Sequence, residues 1–430
     1  MYLRFYKAPQ RNRVHLGGYR TKFFLMKHTI YMDNAATSFP KPPEVTRAMV
    51  YFMEEVGANP GRSGHHLARQ AQSIVSHTRE RLAHLFKITD PNRIVFTANA
   101  TESLNVVLFG FLNPGDHVIA SGMEHNSVMR PLRHLEQTGS ITVSIVSCDK
   151  FGRLDLAGLP GLLRDNTALM VLNHASNVCG TIQDVKAVRQ IIGKVPLLLD
   201  AAQTAGVVPI DVTELGIDFL ALTGHKGLLG PQGIGGLYLR EGLQVRPLKR
   251  GGTGTVSEQE VQPEFFPDTL ESGTLNTVGI AGLCAGVEFI LERGVECIRE
   301  QEMRLLKAFV DGVIDCQGIT LYGPLDPKSQ TAILSVTFDS VLPPSLHHSF
   351  GGCGAVALPA TFETVLPSEA AQVLQEEYQV LVRTGLHCAP LAHKTLGSFP
   401  DGSVRFSMGY FNTLEEVSVA IEAVKRIANR

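Results

Sequence analysis

Between residues 93 and 239 the chain alternates short, continuous apolar runs with longer stretches in which apolar residues recur at helical spacing. The runs are RIVFTAN (93–99), HVIASG (117–122), TVSIVS (142–147), ALMVLNHAS (168–176), VPLLLDAAQ (195–203), FLALTG (219–224) and IGGLYL (234–239). Apolar runs of this length suit strands buried on both faces, and the helices between them supply the cover. The pattern predicts an α/β domain whose mostly parallel seven-stranded sheet is sandwiched by helices. After about residue 280 the pattern changes. A long helical stretch (278–314) leads into shorter strands and two closing helical stretches (368–379 and 413–428). We expect a large domain over 29–280 and a smaller C-terminal α+β domain over 281–430.

In open α/β sheets, ligands bind outside the carboxyl ends of the strands. Polar residues gather there: Thr101, His125, Asn177, Asp200 with Gln203, and Lys226 follow five of the runs. Taken alone, Asp200 and Thr101 read as helix N-caps and His125 as a satisfied core or surface residue. The set reads differently. A buried ammonium at Lys226 is costly unless it is paired or its pKa is lowered. A lysine that forms a Schiff base and an acid that pairs a pyridinium nitrogen are the two protein groups that pyridoxal 5′-phosphate most needs. The turn into a helix at Ala100–Thr101 offers backbone N–H groups for a phosphate, and Thr223 and His225 add two donors.

Composition narrows the class. The chain has 430 residues, 44% hydrophobic and 19% charged, with a formal net charge of −2. These values suit a folded enzyme and argue against a nucleic-acid binder. No apolar run reaches the length of a membrane span. Residues 1–28 carry Arg4, Lys7, Arg11, Arg13, Arg20, Lys22 and Lys27 and no acid. They lack the apolar core of a secretory signal. We read them as a basic leader outside the fold, either a transit peptide or, preferred, residues ahead of a true start at Met26. The seven cysteines form no CxxC pair, so no zinc site or disulfide framework is expected and the cytoplasm is the expected compartment. Six of them read as small buried hydrophobes. Cys388 differs: it follows Gly385 and His387 and precedes Pro390, a loop setting that suits a reachable thiol.

In order along the chain, YMDNAATSFPKP, NPGRSGHHLA, MEHNSV, HASNVCGT, LLLDAAQTAG and TGHKGLLGPQGIG resemble the class V aminotransferase-related enzymes of the fold-type I pyridoxal-phosphate superfamily. Within it, RTGLHCAP (383–390) resembles the cysteine desulfurases, and the Suf-type group more than the group with a longer SGSAC loop. The resemblance spans roughly 30–428.

It implies a pyridoxal 5′-phosphate enzyme that converts L-cysteine to L-alanine, holds the sulfur as a persulfide on Cys388 and passes it to an acceptor protein, as in sulfur mobilisation for iron–sulfur cluster assembly. Lys226 would be the Schiff-base lysine, Asp200 would pair the ring nitrogen and His125 would stack on the ring. Gln203 and Asn177 would contact the phenolic oxygen. Ala100, Thr101, Thr223 and His225 would hold the phosphate. Thr274, in ESGTLN, would reach the phosphate of a partner subunit, making a homodimer with shared sites. Asn177, Arg405 and Ala35 would hold the substrate. A neighbouring histidine or Arg383 would activate Cys388. His65 and His66 would line the site entrance, and Cys179 is expected to be a packing residue. Leu386 departs from the Suf-type pattern, which has a second histidine there. The rivals are a selenocysteine lyase or another class V β-eliminating or aminotransferase-like enzyme, and a sulfur carrier whose cofactor site has lapsed. No nucleic acid or membrane partner and no metal are expected.

Overall fold

The structure, a computed structural model, describes residues 29–61, 64–256, 258–339 and 365–429. The basic leader and Cys353 lie outside the described residues. The central sheet has seven strands: β2 (Ile94–Thr97), β3 (His117–Ser121), β4 (Thr142–Val146), β5 (Thr167–Asn173), β6 (Leu197–Asp200), β7 (Phe219–Thr223) and β8 (Gly235–Leu239). Their spatial order is β2-β8-β7-β6-β5-β3-β4. All are parallel except β8, which runs antiparallel to both β2 and β7.

Successive residues of each strand serve opposite cores. Ile119, Met170, Leu172, Leu197, Leu199, Leu220 and Leu222 pack on one side. There they meet α2 (His66–Phe86), α5 (Val185–Ile192) and α6 (Thr277–Arg293) through Leu82, Val188 and Leu283. Val118, Leu169, Val171, Leu198, Phe219 and Ala221 pack on the other. They meet α3 (Ala100–Phe111) and α4 (Asn126–Gln137) through Leu104 and Leu132. Both faces are covered, which is why the runs are continuous rather than alternating.

The long helical stretch is two helices, α6 and α7 (Val295–Val313). Gly294 separates them with a φ of +84°, a conformation that favours glycine and ends the first helix. Beyond it, β9 (Ile319–Tyr322), β10 (Ile333–Phe338), β12 (Arg383–Gly385) and β13 (Ser403–Ser407) form an antiparallel sheet in the order β12-β13-β10-β9. Helices α7, α8 (Pro367–Tyr378) and α10 (Leu414–Ala428) cover it with Phe309, Leu374 and Val424, while α1 (Pro43–Tyr51) and α9 (Pro390–Leu396) lie outside this cover. The first strand, β1 (Ile30–Tyr31), pairs in parallel with β11 (Val380–Leu381). The N-terminal segment is thereby tied to the C-terminal elements.

No helix among the described residues is long and apolar enough to cross a membrane. The described cysteines are all free. Cys179 and Cys284 are buried, as expected, and Cys148 and Cys316 are half-buried. Cys297 corrects the expectation. It is exposed, because Ile298 beside it takes the inward face of α7.

Candidate active site

The carboxyl ends of β2, β3, β5, β6 and β7 open into one cleft enclosing about 510 Å³ of empty space, its solvent side included. It is lined by Ala100, Thr101, His125, Asn177, Asp200, Gln203, Thr223, His225 and Lys226, so the structure brings these expected residues together. Asn99 shapes the β2 end. Its side chain accepts from the Glu102 N–H at 3.0 Å and caps α3, which aims the first N–H groups of that helix at the cleft. Gly235 makes the close approach possible. A Cβ there would lie 2.8 Å from Asn99 Cα and 2.7 Å from the Leu222 oxygen.

Three side-chain atoms of this lining are buried without a hydrogen-bond partner: Asn177 Oδ1, which can only accept, and the two that can donate, Thr223 Oγ1 and His225 Nδ1. A buried polar atom left unpaired is costly, and an anion would satisfy both donors. Asp200 is 7% exposed, and one of its oxygens accepts from the Ala202 N–H at 2.9 Å. Burial raises its pKa, opposed by the Ala202 hydrogen bond and Lys226. A cationic ring nitrogen would relieve that cost. The Lys226 pKa is lowered to about 8, chiefly by burial, with Arg405 and Arg383 adding to the effect and Asp200 opposing it. A phosphate cradle, a buried acid and a lysine poised to be a free amine fit pyridoxal phosphate.

Ser127 was not singled out in the sequence and is central here. His125 caps α4, and its Nδ1 accepts from the Ser127 N–H at 3.0 Å. The Ser127 hydroxyl lies 2.8 Å from the same nitrogen and 2.8 Å from Thr101 Oγ1. A backbone N–H can only donate, so Nδ1 is the unprotonated nitrogen and Nε2 carries the proton. The directions of the chain follow: Thr101 donates to Ser127, and Ser127 donates to His125. Burial, reinforced by Lys226, Arg383, Arg130 and Arg405, pushes the His125 pKa down to about 4, so the ring is neutral near pH 7. A serine at the start of a helix is too common to have signalled this bridge.

Cys388 follows β12 and is exposed. His387 and Cys388 both have positive φ, +47° and +58°, a pair of strained positions for residues with side chains. Two hydrogen bonds from beside the cleft hold them. The Asn126 N–H donates to the Cys388 carbonyl at 2.8 Å, and the Asn177 amide donates to the His387 carbonyl at 2.7 Å. The Arg383 guanidinium lies 3.5 Å from the Cys388 sulfur. His387 instead turns inward, 3.1 Å from Ser403 Oγ, and burial pushes its pKa down to about 2. Of the two expected helpers, Arg383 is the one in contact with the thiol.

The remaining expected residues lie elsewhere. Arg405 is 1% exposed and does not line the cleft. It donates to Asp33 at 2.7 Å and to the Asn177 carbonyl at 2.9 Å. Ala35 lines an adjoining cavity that shares Lys226 and Gln203 with the cleft, and its carbonyl accepts from the Gln203 amide at 3.1 Å. Thr274 is on a separate surface cleft with Arg79, Thr253 and Glu271. His65 and His66 are not among the residues that line this cleft. His66 opens α2, and the His65 ring caps it by accepting from the Ala68 N–H at 3.2 Å. Cys179 is buried, 3.1 Å from Thr181 Oγ1, as a packing residue.

The family model for aminotransferase class V matches residues 30–419. A probable cysteine desulfurase of Methanothermobacter thermautotrophicus is 34% identical over 413 residues, spanning 94% of this chain and 96% of that protein. The cysteine desulfurase IscS of Vibrio vulnificus is 33% identical over 412 residues, 93% of each. Among solved structures, the apo cysteine desulfurase from Thermococcus onnurineus superposes with a TM-score of 0.80 at 31% identity, covering 93% of this chain and 95% of that one. The cysteine desulfurase CsdA from Escherichia coli, in an S-sulfonic acid form, gives 0.76 at 27% identity, covering 93% and 94%.

Proposed function

The chain belongs to the aminotransferase class V family, and from that premise we propose that it is a cysteine desulfurase working on L-cysteine through Lys226 and Cys388. Pyridoxal 5′-phosphate, when bound, supplies an electron sink that lets the substrate's α-proton leave and return. Lys226 would hold it covalently, Asp200 would face its ring nitrogen and His125 its ring face. Gln203 and Asn177 would approach its phenolic oxygen. The N-terminus of α3, with Thr101, Thr223 and His225, would take its phosphate.

The residues of the chain then have separable tasks. Lys226, with its amine half-free near pH 8, carries the α-proton. Neutral His125 leaves its Nε2 proton available as a donor. Asn177 and Arg405 would anchor the substrate carboxylate beside Ala35, which for Arg405 means exchanging its single bond to the Asp33 carboxylate for the substrate's. Cys388, as thiolate, attacks the substrate sulfur. A bond forms between the two sulfurs, the bond from sulfur to the substrate β-carbon breaks, and its electron pair stays on carbon and takes a proton. L-alanine leaves, and Cys388 retains the sulfur as a persulfide for an acceptor protein.

The observation that carries this reading is the tethering of the thiol loop. Asn126, next to His125, and Asn177, on the cleft wall, each bond a carbonyl of the His387–Cys388 pair. An aminotransferase has no use for a strained, exposed thiol held there. Replacing Cys388 with serine tests the reading: the cofactor colour should remain, while alanine formation from cysteine is lost.

The cleft is taken to lie between a cofactor-binding domain (29–280) and a C-terminal domain (281–430) that supplies Cys388 and Arg405. Thr274, on a separate surface cleft, is taken to serve the phosphate of a partner in a homodimer. The free thiols support placement in the reducing cytoplasm.

A further inference from the structure

We propose that His77 on α2, with Cys284 and Glu288 on α6, forms a binding site for a zinc-like divalent transition-metal ion, separate from the active site. Cys284 and Glu288 are four residues apart on one helix, so their side chains rise from the same face. His77 reaches across from α2. One ligand atom from each, the imidazole nitrogen, the thiol sulfur and a carboxylate oxygen, lie within 4.8 Å of one another. Around a tetrahedral zinc ion, with bonds of about 2.0–2.3 Å, such atoms stand about 3.5 Å apart. Side-chain adjustments of about 1 Å would therefore close the set.

The surroundings suit a metal. His77 Nε2 already lies 2.9 Å from Glu288 Oε1, which places the ring and the carboxylate side by side. The opposite ring nitrogen, Nδ1, is 3.7 Å from Glu80 Oε2, beyond hydrogen-bond length but close enough that a small side-chain movement would let this second carboxylate orient a ligating histidine. The thiol is buried, whereas the His77 and Glu288 side chains are 44% and 45% exposed. An ion can therefore arrive from solvent and keep one water as its fourth ligand. Thiolate, imidazole and carboxylate together favour zinc and cobalt over magnesium or calcium, which prefer all-oxygen sites.

The position gives the ion a structural task. Gly286, on the same helix, packs so closely under the loop that follows Lys226 that a Cβ there would lie 2.5 Å from the Leu228 oxygen. A metal clip between α2 and α6 would brace the helix that supports the lysine-bearing turn.

The test uses the full chain, purified with its cofactor, stripped of metal by a chelator and titrated with Co²⁺, then with Zn²⁺ in competition. One equivalent of Co²⁺ should bind per chain with a sulfur-to-cobalt charge-transfer band, and Zn²⁺ should displace it. Cys284→Ser should abolish the band. Glu288→Gln, at a half-exposed position that leaves the fold intact, should weaken binding by about 10-fold or more. Cys388→Ser should leave the band unchanged. A band that persists in Cys284→Ser, a band that disappears in Cys388→Ser, or no saturable cobalt binding would overturn the proposal. In the last case His77 is simply an imidazole held between Glu80 and Glu288.

Discussion

Asp200→Asn separates what the site does from what it costs the fold. One oxygen of Asp200 is committed to the Ala202 N–H at 2.9 Å. That donor dictates how an asparagine would sit: its carbonyl must stay on Ala202, and its NH₂ must then face the cleft. The variant would present a donor where the ring nitrogen of the cofactor needs an acceptor. Losing a charge-assisted hydrogen bond costs about 1.5–3 kcal/mol, a fall of roughly 10- to 150-fold in turnover. Stability should move the other way. Burial holds the Asp200 pKa above the ordinary aspartate value of 3.8, so the folded apo-protein binds more protons than the unfolded chain as pH rises through that window. Stability is lost across it, and at neutral pH the carboxylate is a net burden on the apo fold. Asparagine removes that burden. The assay pairs alanine release with thermal unfolding of the cofactor-free protein. We expect activity down by the stated factor and the apo melting temperature equal or higher. Turnover within twofold of the parent, or a melting temperature that falls along with activity, would refute the reasoning.

Ser127→Ala removes the hydroxyl between Thr101 and His125 but keeps the backbone donor to Nδ1. Cofactor affinity should fall roughly 2- to 10-fold, one neutral hydrogen bond's worth, as read by fluorescence titration; no change would show the bridge to be idle. Arg383→Gln removes the cation 3.5 Å from the Cys388 sulfur. Alkylation of Cys388 by iodoacetamide at fixed pH should slow by roughly fivefold, while cofactor binding is unaffected. Loading of pyridoxal phosphate onto the apo-protein should accelerate as the Lys226 amine loses its proton and level off above about pH 8. A rate still climbing toward the ordinary lysine value of 10.5 would show that the lysine is not perturbed.

The seven central strands were legible because both faces of the sheet are covered, so each strand reads as an unbroken apolar run. The antiparallel course of β8 was not, since IGGLYL reads alike in either direction. The break at Gly294 was hidden because a single glycine is tolerated within a helical pattern. The residues that follow the strands, Asp200 and Lys226 among them, were legible from the rule that places chemistry at carboxyl ends. Contacts between distant segments were not. The ion pair of Arg405 with Asp33 joins residues 372 apart in the chain, and nothing local marks it. His65 and His66 carry a motif but sit at the start of α2, where geometry gives the His65 ring a cap to fill. The inward turn of His387 depends on left-handed backbone at two residues that are not glycine, a conformation that sequence patterns do not announce.

The central claim is that sulfur moves from free cysteine to Cys388. A single turnover of the cofactor-loaded protein with L-cysteine, in the absence of any reductant, should yield equal amounts of alanine and of sulfur bound to Cys388, found by mass spectrometry of the peptide that contains it. Cys388→Ala should yield neither while keeping its cofactor. Alanine formed in full by Cys388→Ala, or a loaded wild-type protein that forms no alanine from cysteine, would contradict the account.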